Sequence, residues 1–364
     1  MIIDDHSVAR LQAIGLTDAM RTHLQSQAHD ANAPFLRRIT EVQRDALTLH
    51  DGLEPHPARA LPSLLAQAAE HDGLAVGDWV WASRDPHGQW WVHRRVPPLT
   101  QLARRLHDGR DKVMRAVIVS NVDTALLVMG LDHDFNLRRL ERYLALARLS
   151  GVAAVVVLTK ADLCDPAFAE RRLHEVAALL PPGTEAMALD ARGDEARDAL
   201  APWLGAGQTL VLVGSSGAGK STLSNALLGE HRQDTGANRS GDSRGRHTTT
   251  SRSLHVLPGG ACLIDTPGLR TLRLDVDADT LDGVFDDIAR LSSACRFRDC
   301  RHQGEPGCAV REQAPPERLR NFQKLQREIR RDAMTALDRQ AQRSQWKVRH
   351  KAARARDRAK HEPG

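Results

Sequence analysis

The segment Gly214-Ser215-Ser216-Gly217-Ala218-Gly219-Lys220-Ser221-Thr222 has the spacing G-x4-G-K-S, a pattern built for phosphate chemistry. Its glycines let successive backbone N–H groups converge on phosphate oxygens. Lys220 neutralises the β- and γ-phosphates, and the Ser221 hydroxyl is placed to coordinate Mg²⁺. An apolar run at 209–213 precedes the segment and a helix-forming run at 221–228 follows it, the strand–loop–helix setting that the pattern requires.

The base is chosen elsewhere. Thr159-Lys160-Ala161-Asp162 follows the apolar run 153–158 and reads as an N-K-x-D guanine-recognition element with Thr in place of Asn. An Asp162 carboxylate accepts from both the ring N–H and the exocyclic amine of guanine, a donor pair adenine lacks, while the Lys160 stem packs along the base. Thr159 forfeits an amide that both donates and accepts. Asp265-Thr266-Pro267-Gly268 follows the run 261–264 and fits D-x-x-G. Asp265 there holds Mg²⁺ through water, and the Gly268 N–H senses the γ-phosphate. Arg244-Gly245-Arg246-His247-Thr248-Thr249-Thr250 lies in a long polar stretch where a mobile switch I threonine belongs, so Thr248 or Thr249 completes the Mg²⁺ shell. Together these motifs make GTP and GDP the ligands.

Their order is unusual. An ordinary GTPase runs phosphate loop, switch I, D-x-x-G, then N-K-x-D; here the base motif comes about fifty residues before the phosphate loop. Such a circular permutation leaves every strand in place and moves the termini. The segment after Gly268 then leads directly into whatever lies C-terminal. That unit carries Cys295-x4-Cys300-x-His302-x5-Cys308, a complete Cys₃His donor set within fourteen residues. Four protein ligands leave no open position, so one structural Zn²⁺ is expected.

These motifs need elements to hold them. Apolar runs at 124–129, 153–158, 185–189, 209–213, 252–257 and 261–264 alternate in part with helices. One helix is predicted at 136–149, capped by Asn136, and another begins at Asp165-Pro166. The pattern is an α/β fold with a mainly parallel sheet covered on both faces. Upstream, short strand runs at 36–42, 46–50, 79–83 and 90–95 indicate a small β-barrel, with an OB-fold as one candidate. Trp79, Trp81, Trp90 and Trp91 lie in the last two runs beside Arg84, Arg94 and Arg95, so these rings either fill the barrel or stack on bases. Residues 1–33 read as flexible or weakly helical, and 97–112 as a linker.

Charge adds a partner. The chain carries 51 Lys+Arg and 46 Asp+Glu, a net +5. Residues 317–364 hold 15 basic and 6 acidic residues, a net +9, which leaves −4 on the rest. A basic terminal segment is the footprint of a phosphate-backbone binder. From about Arg318 onward large apolar residues look too sparse for a core element, and a helical arm is expected. The N-terminus has no basic flank before an apolar stretch, no run is long enough to span a bilayer, and the cysteines are odd in number and clustered. A cytoplasmic protein with no membrane association is expected.

The motifs in this order resemble the circularly permuted ribosome small-subunit-dependent GTPase A family, also called RsgA, YjeQ or EngC. The resemblance covers about residues 34–330 and rests on T-K-A-D, G-S-S-G-A-G-K-S-T, G-R-H-T-T-T, D-T-P-G and C-x4-C-x-H-x5-C. It implies an OB-fold RNA-binding domain at 34–105, a permuted P-loop GTPase domain at 112–285 and an α-rich zinc-binding domain at 286–330; the basic helical tail expected at 331–364 and Thr159 are this chain's departures from the family. It also implies a late role in maturing the small (30S) ribosomal subunit, with rRNA as ligand and hydrolysis stimulated by that subunit. In the family an apolar residue, here Leu269, stands where Ras-like enzymes carry a water-orienting glutamine. His247 is then either the residue that serves instead, acting in catalysis with Lys220, or a contact to RNA phosphate. A monomer is expected. The competing classes are a P-loop ATPase, separated by comparing GTP with ATP binding, and a non-catalytic RNA-binding assembly factor with a regulatory nucleotide site. Intact Lys220, Ser221 and Asp265 argue against the latter.

Overall fold

The first five strands are short: β1 (Phe35–Val42), β2 (Leu47–His50), β3 (Pro55–Ala60), β4 (Trp79–Arg84) and β5 (Trp90–Arg95). They pair in the order β1-β2-β3-β5-β4, and β4 returns to β1, which closes a barrel. β3 and β5 run parallel and the other pairs antiparallel, the Greek-key connectivity of an OB-fold. β3 eludes a sequence reading because Pro55 and Pro57 interrupt the usual strand composition. This computed structural model describes residues 5–26, 35–43, 46–65, 73–107, 113–229, 252–266 and 285–333.

The first residues do more than the sequence suggests. Rather than a flexible or weakly helical segment, α1 (Asp5–Gln12) and α2 (Asp18–Gln25) form, the second capped by Thr17, whose hydroxyl accepts from Met20 N at 3.1 Å. Leu11, Ile14, Leu16, Met20 and Leu24 bury against Leu36, Trp79, Trp81 and Val96 of the barrel. Their partners are distant in sequence, so no local periodicity betrays them. Trp90 fills the barrel with Ile39, Leu49, Val80 and Val92, and only Trp91 of the four tryptophans stays half-buried. The supposed linker at 97–112 likewise contains a strand, β6 (Gln101–His107), which pairs antiparallel with β7 (Val113–Ser120). Its polar composition disguised it.

The second half of the sheet runs β10-β9-β8-β11-β13-β12, from β8 (Thr124–Gly130), β9 (Ala153–Thr159), β10 (Glu185–Ala188), β11 (Thr209–Val213), β12 (Ser253–Val256) and β13 (Cys262–Asp265). All are parallel except β12, which also meets β1 at Glu41↔Ser253 and so joins this sheet to the barrel. Strand alternation feeds two cores. Leu127 and Met129 pack with Leu140 and Leu144 of α3 (Leu137–Leu149) and Val176 of α4 (Pro166–Ala177). Leu126 and Val128 pack on the other face with Leu200 of α5 (Asp194–Leu200) and Leu223 and Leu227 of α6 (Lys220–Leu228). Both expected caps are present: Asn136 Oδ1 accepts from Arg139 N at 3.0 Å and Asp165 Oδ1 from Ala167 N at 2.8 Å.

The C-terminal elements are α7 (Asp286–Ser293), α8 (Ala309–Gln313) and α9 (Pro316–Ala333). Contrary to the composition argument, α9 is a core element: Leu319, Phe322, Leu325 and Ile329 are buried in the same cluster as α3. Few apolar residues suffice when their spacing lines them along one stripe. Polar contacts fix the docking. Arg318 donates through Nε to Asp287 Oδ2 at 2.6 Å and through a second nitrogen to Asp287 Oδ1 at 2.7 Å; it also bonds Glu141 on α3, which takes a further bond from Asn321. Residues 334–364, which hold the rest of the basic tail, lie outside the described residues.

Candidate nucleotide site and metal cluster

The sheet order explains how a permuted chain assembles one site. β11 lies between β8 and β13, and β9 is one strand further on, so Gly214–Thr222 after β11, Asp265 at the end of β13 and Thr159–Asp162 at the end of β9 share the C-terminal edge of parallel strands. That edge is where open α/β sheets bind ligands. Gly217 and Gly219 have φ of 82° and 91°, in the left-handed region that lets the loop wrap. A side chain at Gly214 would lie 2.3 Å from the Val128 carbonyl oxygen, so only glycine fits beside β8. Lys220 Nζ donates to the carbonyls of Gly214 at 2.8 Å and Ser215 at 2.5 Å, which holds the ammonium over the loop. Ser221 and Thr222 begin α6, both partly exposed. Ala218 is buried and Ser216 exposed.

Thr159 is wholly buried and its Oγ1 donates to the Ala218 carbonyl at 2.7 Å, so the Asn-to-Thr departure keeps a bond between the base motif and the phosphate loop. Lys160 follows with φ of 65°, a conformation rare outside glycine and typical of functional turns. Its Nζ lies 2.7 Å from Asp132 Oδ2. Burial raises the Asp132 carboxyl, but the bond to Lys160, the Asp134 amide and the nearby charges outweigh it and hold the group below its ordinary value. Ala161 N donates to Leu189 O at 3.3 Å, and Asp162 ion-pairs with Arg192. Arg192 also reaches Asp190 Oδ1 at 3.0 Å and thereby lowers that carboxyl. Asp265 closes β13, and the following Thr266 hydroxyl bonds Leu212 O at 3.3 Å across to β11. His247, Thr248, Thr249 and Gly268 lie outside the described residues.

Sequence reasoning missed three contributors here. Asp132 and Asp134 sit in the β8–α3 loop, and Arg192 in the turn after β10. The available signal was a charged cluster just past a buried strand end, the same topological position as the motifs that were found.

The metal donors also converge. One ligand atom from each of Cys295, Cys300, His302 and Cys308 lies within 4.8 Å of every other. His302 Nδ1 faces the thiols, 3.3 Å from Cys308 Sγ and 3.7 Å from Cys295 Sγ. Its Nε2 lies 3.4 Å from Ser292 Oγ, and its carbonyl accepts from Gln323 Nε2 of α9 at 2.7 Å. His302 holds φ of 58°, so these contacts keep an uncommon backbone in place. Three thiols and an imidazole are soft and borderline donors in tetrahedral number, a set that fits a metal such as zinc.

Comparison with known proteins agrees with this geometry. Residues 99–275 match the family model described as RsgA GTPase. Proteins named small ribosomal subunit biogenesis GTPase RsgA are similar over most of this chain. That of Xanthomonas campestris pv. campestris (strain B100) is 43% identical over 317 residues, 85% of each chain. That of Xylella fastidiosa (strain 9a5c) is 45% identical over 305 residues, 80% of this chain and 85% of its own. In fold, the crystal structure of YjeQ from Thermotoga maritima covers 81% of this chain and 98% of that one with a TM-score of 0.59 at 23% identity. YloQ, a circularly permuted GTPase, covers 84% and 99% with a TM-score of 0.56 at 20% identity. By sequence over most of its length and by the permuted order of its site, this chain belongs to the RsgA family of GTPases.

Proposed function

We propose that the chain hydrolyses GTP late in maturation of the small (30S) ribosomal subunit, binds that subunit through its rRNA, and uses hydrolysis to release itself. The observation that carries this reading is the 43–45% identity, over 80–85% of the chain, to proteins named for small-subunit biogenesis. It acts in the cytoplasm as a monomer.

In this reading Asp162 reads the guanine edge and Lys160 packs along the base, each released from its present partner as nucleotide enters. The amides of the loop Gly214–Thr222 and the Lys220 ammonium hold the phosphates in line for attack by water. Ser221 and Asp265 offer hard oxygen donors at one sheet edge, the kind Mg²⁺ prefers, and Thr248 or Thr249 completes the set. Bound Mg²⁺ neutralises charge that develops on the transferring phosphoryl. The Gly268 N–H senses the γ-phosphate and His247 orients the attacking water. Cys295, Cys300, His302 and Cys308 hold a structural Zn²⁺. The charge of the 317–364 segment, +9 on a −4 body, supports rRNA as the surface it meets.

Co-sedimentation with small subunits under a GTP analogue and under GDP tests the reading, with turnover measured alongside. Retention with the analogue, release with GDP and subunit-stimulated hydrolysis are expected. Equal retention in both states with unstimulated hydrolysis would leave an RNA-binding factor with a regulatory nucleotide site.

A further inference from the structure

The loop between β8 and α3 grips both halves of the nucleotide site, and no motif assigns it a role. Leu131 N donates to Thr159 O at 3.0 Å, which seats the loop against the base motif. Asp132 holds Lys160, and its other carboxylate oxygen takes the Asp134 amide at 3.0 Å. Asp134 is nearly buried, and each of its oxygens is committed. Oδ2 accepts from Gly130 N at 3.1 Å, while Oδ1 accepts from Arg139 at 2.5 Å and from the Ser215 hydroxyl.

Ser215 is thus held at both ends. Its hydroxyl donates to Asp134, and its carbonyl accepts Lys220 Nζ. A carboxylate this close to a phosphate loop repels the triphosphate unless its charge is matched. Arg139, one turn into α3, matches it and also bonds the Asp134 carbonyl. The arrangement gains a charge-assisted bond to the loop without leaving a free negative charge beside the ligand.

We propose that Asp134 is a positioning residue for GTP hydrolysis: acting through the Ser215 hydroxyl, it holds the loop carbonyls that orient the Lys220 ammonium. Asp134 touches neither nucleotide nor water in this role. Replacing it leaves guanine reading intact and disturbs the step that needs a placed lysine.

The test is a double-mutant cycle on the full-length protein with GTP turnover and guanine-nucleotide affinity as readouts. Asp134→Asn and Ser215→Ala each lower kcat about tenfold, the scale of one charge-assisted hydrogen bond. The preference for GTP over xanthosine triphosphate stays as in the unmodified protein. The double variant falls no further than Ser215→Ala alone, because Asp134 acts only through that hydroxyl. Ser215→Thr, which keeps the hydroxyl, recovers part of the kcat that Ser215→Ala loses. A merely structural Asp134 gives another pattern: its loss lowers the melting temperature equally in the Ser215→Ala background and leaves kcat unchanged. Additive losses in kcat overturn the proposal as well. If Asp134→Asn does not fold, Ser215→Ala and Ser215→Thr decide between them, and equal kcat in those two variants refutes it.

Discussion

The Thr159 hydroxyl donates to the Ala218 carbonyl at 2.7 Å, bonding the end of β9 to the middle of the phosphate loop across intervening β8. Space there is tight: a side chain at Gly219 would lie 3.0 Å from Thr159 Oγ1. A small residue with one donor meets both demands.

Thr159→Val keeps the shape and removes the donor, leaving a carbonyl without its partner. GDP and GTP affinities should fall together by roughly three- to tenfold, the ~0.5–1.5 kcal/mol net value of a hydrogen bond. Titration calorimetry with both nucleotides checks this. Unchanged affinity means that the bond does not help hold the loop for its ligand.

Asp162→Asn should move base preference from guanine toward xanthine, because the amide presents a donor where xanthine has its extra carbonyl. The same change removes the charge that now pairs with Arg192. Competition binding of GTP and xanthosine triphosphate measures the switch. GTP affinity equal to that of the unmodified chain would take base reading away from Asp162.

One zinc per chain is expected by metal analysis, lost in Cys300→Ser. Chelation should loosen the C-terminal unit, since metal-binding energy at such a site is folding energy. GTP affinity should survive, because α9 remains anchored on α3 through Arg318, Glu141 and Asn321. Hydrogen exchange with and without chelator separates the two regions.

Asp78 sets a pH dependence. It is wholly buried in the barrel wall, and burial pushes its carboxyl up to about 6 against the pull of Arg95, the Ala75 amide, Ser120 and Arg38. In the unfolded chain the group titrates near ~3.9. Between those values the folded form keeps a proton that the unfolded form has lost, so stability falls as pH rises from about 4 to about 6 and is flat for this group above that. Asp78→Asn should remove most of that slope in denaturant unfolding across the window. An undiminished slope would assign the titration to other groups.

The sequence by itself determined the motifs and their order. Residues that must act within one loop are adjacent in the chain, so Gly214–Thr222, Thr159–Asp162 and the Cys295–Cys308 donors were legible from spacing, as were the caps Asn136 and Asp165. The permuted order was legible for the same reason. What only the tertiary structure decided involves partners far apart in sequence. α1 and α2 are stable because Leu11 and Met20 share a buried cluster with Trp79 and Trp81, and α9 is core because Phe322 meets Phe285, rings 5.2 Å apart. Arg38, wholly buried, joins three regions by donating to Ile14 O at 2.5 Å and to Asn121 O and Thr209 Oγ1, both at 2.9 Å. Asp134 reaches Ser215 across eighty-one positions of chain. Burial and hydrogen bonding depend on what the fold brings opposite each side chain, and a linear pattern carries that information only when the partner is local.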